Sequence, residues 1–239
     1  MKILITGASS GIGRATALAL AKGNHLLLMA RRAGRLHEVA TAVEALGGTA
    51  TCLEGDVRTW SKELDVDVLI NNAGLAKGRD PIQGGNLDDW DLMMDTNVKG
   101  LLRVTKACLP SIIQRKGHVI NLGSVAGRWV YPGGNVYCAS KHAVRALSDS
   151  MRLDLQGTGV RVTNIEPGLV ETEFSLVRFD GDADAADAVY NGYDVLRPED
   201  VAETIAWCLS RPAHVNVQEL VLYPTCQASV RDVVKPAEA

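Results

Sequence analysis

The sequence predicts an α/β fold: a doubly wound parallel sheet with helices on both faces. Short apolar runs at 3–5, 26–29, 49–53, 66–70, 118–122, 160–165 and 220–223 alternate with helical patterns at 11–22, 33–46, 87–115, 135–155 and 198–209. The runs are apolar throughout rather than at every second residue, as strands covered from both sides must be. No linker, repeat or low-complexity segment interrupts the alternation, so residues 1–239 are expected to form a single three-layer domain.

Composition narrows the function classes. The chain has 239 residues, 46% of them hydrophobic and 22% charged, the balance of a globular protein. Lys and Arg number 25 against 28 Asp and Glu, so a nucleic-acid partner held by phosphate charge is not expected. The apolar run at 26–30 is far shorter than the ~20 residues a spanning helix needs, and no membrane contact is expected. Cys52, Cys108, Cys138, Cys208 and Cys226 stand far apart with no CxxC pair, which predicts neither disulfides nor a metal site. His25, His37, His118, His142 and His214 show no ligand spacing and read as strand-end or surface residues. The chain enters its first strand within a few residues, so no leader is expected, and a reducing cytoplasm fits.

Several element ends carry signals. Asn86 before Leu87-Asp88-Asp89 reads as an N-cap, Pro198 as a first helical residue, and Gly117 after Arg115-Lys116 as a C-cap. The acidic stretch 180–187 reads as a helix start beside a mobile loop. Only about eleven residues (55–65) join the third and fourth strands, too few for the usual crossover helix. One face of the sheet is expected to be thin there, or covered by something else.

The first strand runs into Thr6-Gly7-Ala8-Ser9-Ser10-Gly11-Ile12-Gly13-Arg14 and then a helix. Glycines at this place allow a tight turn, let backbone approach a pyrophosphate, and leave helix N–H groups free for it. The pattern predicts a nucleotide site on a Rossmann fold; a tight turn without ligand is the plainer alternative.

The spacing T-G-x-x-x-G-x-G resembles the short-chain dehydrogenase/reductase family. The resemblance continues through Asp56-Val57, Asn71-Asn72-Ala73-Gly74, Asn97, Ser124, Tyr137-Cys138-Ala139-Ser140-Lys141 and Pro167-Gly168-Leu169-Val170-Glu171-Thr172, in the family's order over nearly the whole chain. It implies an NADP- or NAD-binding oxidoreductase. Cofactor contacts are implied for Gly7, Ser9, Ser10, Gly11, Ile12, Gly13, Asp56, Val57, Asn72, Tyr137, Lys141, Pro167, Gly168, Val170 and Thr172.

The end of the second strand distinguishes the two cofactors. NAD enzymes of this fold place an acid there for the ribose 2′-OH. This chain has Ala30 followed by Arg31 and Arg32. Guanidinium pairs with a 2′-phosphate that a carboxylate would repel, which predicts NADP. The plainer alternative is that both arginines solvate a strand end.

Tyr137 and Lys141 are four residues apart on one helix face. Free tyrosine titrates near pH 10. An ammonium at ~4 Å, at an effective dielectric of ~20, favours phenolate by about 4 kcal/mol. That would bring Tyr137 near working pH as the proton donor or base that hydride transfer needs. By the resemblance, Lys141 also holds the nicotinamide ribose, Ser124 polarises the substrate carbonyl, and Asn97 interrupts its helix to order a water relay to Lys141. These four form the expected catalytic group, with Cys138 read as packing.

Gly133-Gly134-Asn135-Val136-Tyr137, the stretch 165–179 and Pro212-Ala213-His214-Val215-Asn216 are similar to one subgroup, the NADP-dependent serine and 3-hydroxy acid dehydrogenases, which sulfoacetaldehyde reductases also resemble. The implied substrate is a small hydroxy acid or its semialdehyde, touched by Ser124, Tyr137 and Arg178. Arg178 and Arg128 both stand as anchors for the acid group, and an ion-pairing role for either stays open. Phe174 and Phe179 are expected to cap the site from a loop that opens and closes. The family implies a homo-oligomer, commonly a tetramer, with 97–115 and 135–155 pairing across subunits. Reduction of larger ketones or 3-oxoacyl groups is the second reading. A non-catalytic NADP-binding regulator is the third, against which both Tyr137 and Lys141 are retained.

Overall fold

The computed structural model describes residues 1–235. Its strands are β1 (Lys2–Thr6), β2 (His25–Ala30), β3 (Thr49–Glu54), β4 (Val68–Asn71), β5 (His118–Leu122), β6 (Arg161–Pro167) and β7 (Glu219–Leu222). They form one parallel sheet, as the apolar runs predict, in the order β3-β2-β1-β4-β5-β6-β7. The winding reverses between β1 and β4, and the carboxyl ends of these two strands open the crevice in which such sheets bind ligands.

The helices are α1 (Gly11–Ala19), α2 (Ala33–Ala45), α3 (Leu87–Met94), α4 (Leu101–Arg115), α5 (Asn135–Asp154), α6 (Phe174–Arg178), α7 (Ala183–Ala188) and α8 (Pro198–Leu209). Side chains along each strand divide between the two faces. Ile3, Ile5, Leu26, Leu28, Val68, Ile70 and Ile120 pack with Leu36, Val39, Val43, Val201 and Ile205 of α2 and α8. Leu4, Leu27, Met29, Leu69 and Val119 meet Val104, Cys108 and Ile112, spaced four apart on α4. Among the described residues no helix is long and apolar enough to cross a membrane.

The 55–65 link carries no helix. Trp60 and Leu64 lie on the second core face instead, and Val57 is buried against Gly100. A Cβ at Gly100 would stand 2.7 Å from Val57 Cγ2, so a glycine is needed where the link crosses. Asn86 caps α3 through Asp88 N, and Pro198 opens α8.

One expectation needs correction and two are sharpened. The break expected at Asn97 within 87–115 is a π-helical turn, Asp95–Gly100, that separates α3 from α4. The left-handed residue ending α4 is Lys116, φ 53°, not Gly117. Gly117 is required for another reason, since a Cβ there would run into the Asp67 carbonyl oxygen. The helix start expected within 180–187 is α7, capped by Asp182, and a further short helix, α6, forms in the segment before it.

His118 begins β5, yet it is buried rather than at the surface. Its Nε2 lies 2.8 Å from Thr163 Oγ1, and that hydroxyl donates to Val217 O. The ring therefore donates through Nε2–H. Burial, with Arg161 nearby, lowers its pKa to about 3. Between that value and the ordinary 6.5 the unfolded chain binds the extra proton, so stability falls as pH falls through this window. Urea unfolding at pH 7 and pH 5 should show wild type losing about 2 kcal/mol more than His118→Gln; equal losses would contradict it.

Candidate active site

The crevice is a cavity of about 470 Å³ running from the glycine turn to the α6 segment. At its first end Gly7 and Gly11 adopt φ +67° and +50°, which only glycine enters without strain. Gly13 lies behind the turn, where a Cβ would run into the Gly7 carbonyl oxygen. Asn72 Nδ2 donates to Thr6 O at 2.8 Å, and Thr6 Oγ1 accepts from Asn72 and Ala73 N–H, fastening β4 to the turn. Ser10 makes no side-chain cap to α1, so the first N–H groups of that helix are free to meet an anion.

Arg32 reaches this turn, donating to Ser10 Oγ at 2.8 Å and Ser9 Oγ at 3.2 Å. Arg31, Asp56 and Val57 line the same end with Ile12. Asp56 accepts a forked pair of hydrogen bonds from Arg58, which holds its carboxyl below the usual range. The cradle fits a phosphorylated dinucleotide: cramped glycine backbone, uncapped N–H groups and a cation beside two serine hydroxyls.

At the other end Tyr137 and Lys141, both buried, project from α5 beneath Ser124, which follows β5. Ser124 Oγ accepts from Ala126 N–H at 3.1 Å and lines the cavity together with Tyr137. Lys141 Nζ donates to Leu122 O at 2.8 Å and stands 6.0 Å from the Tyr137 ring centroid. Burial, aided by Tyr131, pushes the Tyr137 hydroxyl above its ordinary value, with Ser124 pulling the other way. Burial also brings Lys141 down to about 8, opposed by Glu166.

Asn97 does not line the cavity. Its Oδ1 accepts from Leu75 N–H at 2.9 Å, and its Nδ2 donates to Leu75 O at 2.8 Å and Ser140 Oγ at 3.0 Å. The amide clamps the π-turn to the strand-four loop and to α5, one residue from Lys141. Pro167, Gly168, Val170 and Thr172 line the wall between the two ends.

The two candidate anion anchors separate. Arg128 is paired with Glu166 and Glu219, so it is an ion-pair residue. Arg178 lines the cavity with its guanidinium 5.8 Å from the Tyr137 ring centroid and 5.7 Å from that of Tyr131. It donates to Gly78 O and Tyr131 Oη, both at 3.0 Å. Phe174 and Phe179 also line it, and the Phe174 ring sits 5.6 Å from that of Tyr137.

Several lining residues escaped sequence reasoning. Tyr131 and Arg79 stand at the Arg178 end. Gln227, buried, accepts from Leu169 N–H and would collide with a Cβ at Gly168. No motif marks these positions.

A family model described as short chain dehydrogenase matches residues 1–181. The chain belongs to the short chain dehydrogenase family. An NADP-dependent 3-hydroxy acid dehydrogenase of Salmonella typhi is 43% identical over 242 residues, 95% of this chain and 96% of that one. A sulfoacetaldehyde reductase of Chromohalobacter salexigens is 47% identical over 239 residues, 95% of each chain. Among solved structures, a closed form of serine dehydrogenase complexed with NADP+ superimposes with a TM-score of 0.90 at 42% identity, over 99% of this chain and 100% of that one. The family and the doubly wound parallel sheet agree with the sequence expectation.

Proposed function

We propose that residues 1–239 work as one NADP-dependent oxidoreductase domain. It acts between a small hydroxy acid, of the serine, allo-threonine or 3-hydroxy acid type, and its semialdehyde or keto form. The observation that carries the acid class is Arg178, a guanidinium beside Tyr137 in the same crevice as the glycine turn. The names of the relatives support it.

NADP, when bound, supplies or accepts the hydride. Arg31 and Arg32 hold its 2′-phosphate, and Ser9, Ser10 and the first N–H groups of α1 hold the pyrophosphate. Asp56 and Val57 flank the adenosine end. Asn72, Pro167, Gly168, Val170 and Thr172 shape the nicotinamide end. Tyr137 gives a proton to the carbonyl oxygen in reduction and takes it in oxidation. Ser124 donates to the same oxygen. Lys141 holds the ribose and, when charged, favours proton loss from Tyr137; Asn97 keeps the backbone around Lys141 fixed and orders the water relay. Arg178 pairs with the substrate acid, while Phe174 and Phe179 exclude water.

Exchanging Ala30→Asp, Arg31→Gln and Arg32→Gln together tests the cofactor end. The ratio of kcat/KM for NADP to that for NAD should fall by at least about a hundredfold, the weight of a charge-assisted pair and its replacement by repulsion. An unchanged ratio would sink the assignment. The same reading makes the enzyme a cytoplasmic homotetramer, supported by Leu102, Ile113 and Leu153 exposed on α4 and α5. Light scattering at micromolar concentration should give four chains, and a monomer would contradict it.

A further inference from the structure

Arg32 serves two partners. One side of its guanidinium holds the serine hydroxyls of the glycine turn, while Nη1 donates to Glu173 Oε2 at 3.0 Å. The other carboxylate oxygen of Glu173 accepts from Arg35, a third arginine that comes one turn into α2. Glu173 lies 141 residues from Arg32 in sequence. It immediately precedes α6, whose first residue, Phe174, meets Tyr137 and whose last, Arg178, lines the substrate end. Burial alone would raise the Glu173 carboxyl, but the bonds from Arg35 and Arg32 hold it below the usual range, so it is anionic at neutral pH.

A carboxylate thus sits on the cation that the cofactor's 2′-phosphate needs. We propose that Glu173 tunes cofactor specificity: its carboxylate and the 2′-phosphate of NADP compete for Arg32, and Arg35 is a further cation of that subsite, beside Arg31 and Arg32. The competition is winnable. Arg32, Arg35 and Glu173 side chains are 45%, 46% and 39% exposed, and ion pairs so open to water are weak. A 2′-phosphate brings more charge and more acceptor oxygens to the same guanidinium. NAD presents only a hydroxyl there and leaves Glu173 in place.

The inference rests on the NADP reading, and one set of titrations separates the two. Dissociation constants for NADPH and NADH are measured by fluorescence quenching on wild type, Glu173→Gln and Glu173→Gln/Arg35→Gln, with thermal melts to confirm folding. Glu173→Gln should tighten NADPH about threefold to fivefold, the size of an exposed pair, and leave NADH within about twofold. Adding Arg35→Gln should weaken NADPH about fivefold from there, again without moving NADH. Glu173→Asp, which keeps the charge, should return NADPH affinity toward wild type. Equal shifts for both cofactors, no shift, or weaker NADPH binding in Glu173→Gln would overturn the proposal while the cofactor reading stands. Wild type binding NADPH no better than NADH would overturn both.

Discussion

Tyr137→Phe is expected to bind NADPH within about twofold of wild type and to turn over roughly a thousandfold more slowly, the usual range for losing a positioned proton donor. The ring packs against Phe174 and is buried in the substrate half of the crevice, so phenylalanine keeps the packing and removes only the hydroxyl. Ser124 lines the same cavity but is a far weaker acid, and Lys141 is tied to Leu122 O, so neither replaces it. The raised Tyr137 hydroxyl keeps its proton at neutral pH, which suits reduction. Oxidation needs that proton gone, so the rate of NADP reduction should climb with pH from 7 to 9. Near-normal turnover in Tyr137→Phe, measured by stopped-flow NADPH oxidation, would remove Tyr137 from the chemistry.

The second large effect is at Arg178. Arg178→Ala should raise KM for acidic substrates by roughly ten- to a hundredfold, from loss of a charge-assisted pair worth about 1.5–3 kcal/mol. Neutral alcohols of the same size should change much less. The guanidinium also bonds Gly78 O and Tyr131 Oη, so Arg178→Gln, which keeps a donor and loses the charge, separates anchoring from support. A glutamine variant with equal losses on acidic and neutral substrates would make Arg178 structural and move the anchor to Arg79 at the same end of the cavity.

What the sequence revealed follows from which contacts are local. Doubly apolar strands announce themselves because each buries both faces within a few residues. The glycine turn and the Tyr137–Lys141 pair are legible because their parts lie within one turn or one helix face. The break at Asn97 was expected from resemblance, but the π-turn leaves no mark in the apolar pattern of 87–115. Helices α6 and α7 are too short for periodicity to register. Arg128 shows the hardest case: an arginine near Tyr137 is committed to Glu166 and Glu219, partners that the sheet, not the sequence, brings to it. Lys141 has a partner of the same kind, the Leu122 carbonyl on β5. A shared helix face fixes direction, while the Leu122 carbonyl decides where the ammonium rests.

The central claim is hydride transfer between NADP and a small hydroxy acid. Initial rates of NADP and NAD reduction by wild type with L-serine, 3-hydroxypropionate and n-propanol test it most directly. Reduction of NADP by at least one of the acids, with kcat/KM at least about tenfold above both the NAD reaction and the n-propanol reaction, is the predicted result. Equal use of n-propanol, or a preference for NAD, would contradict it.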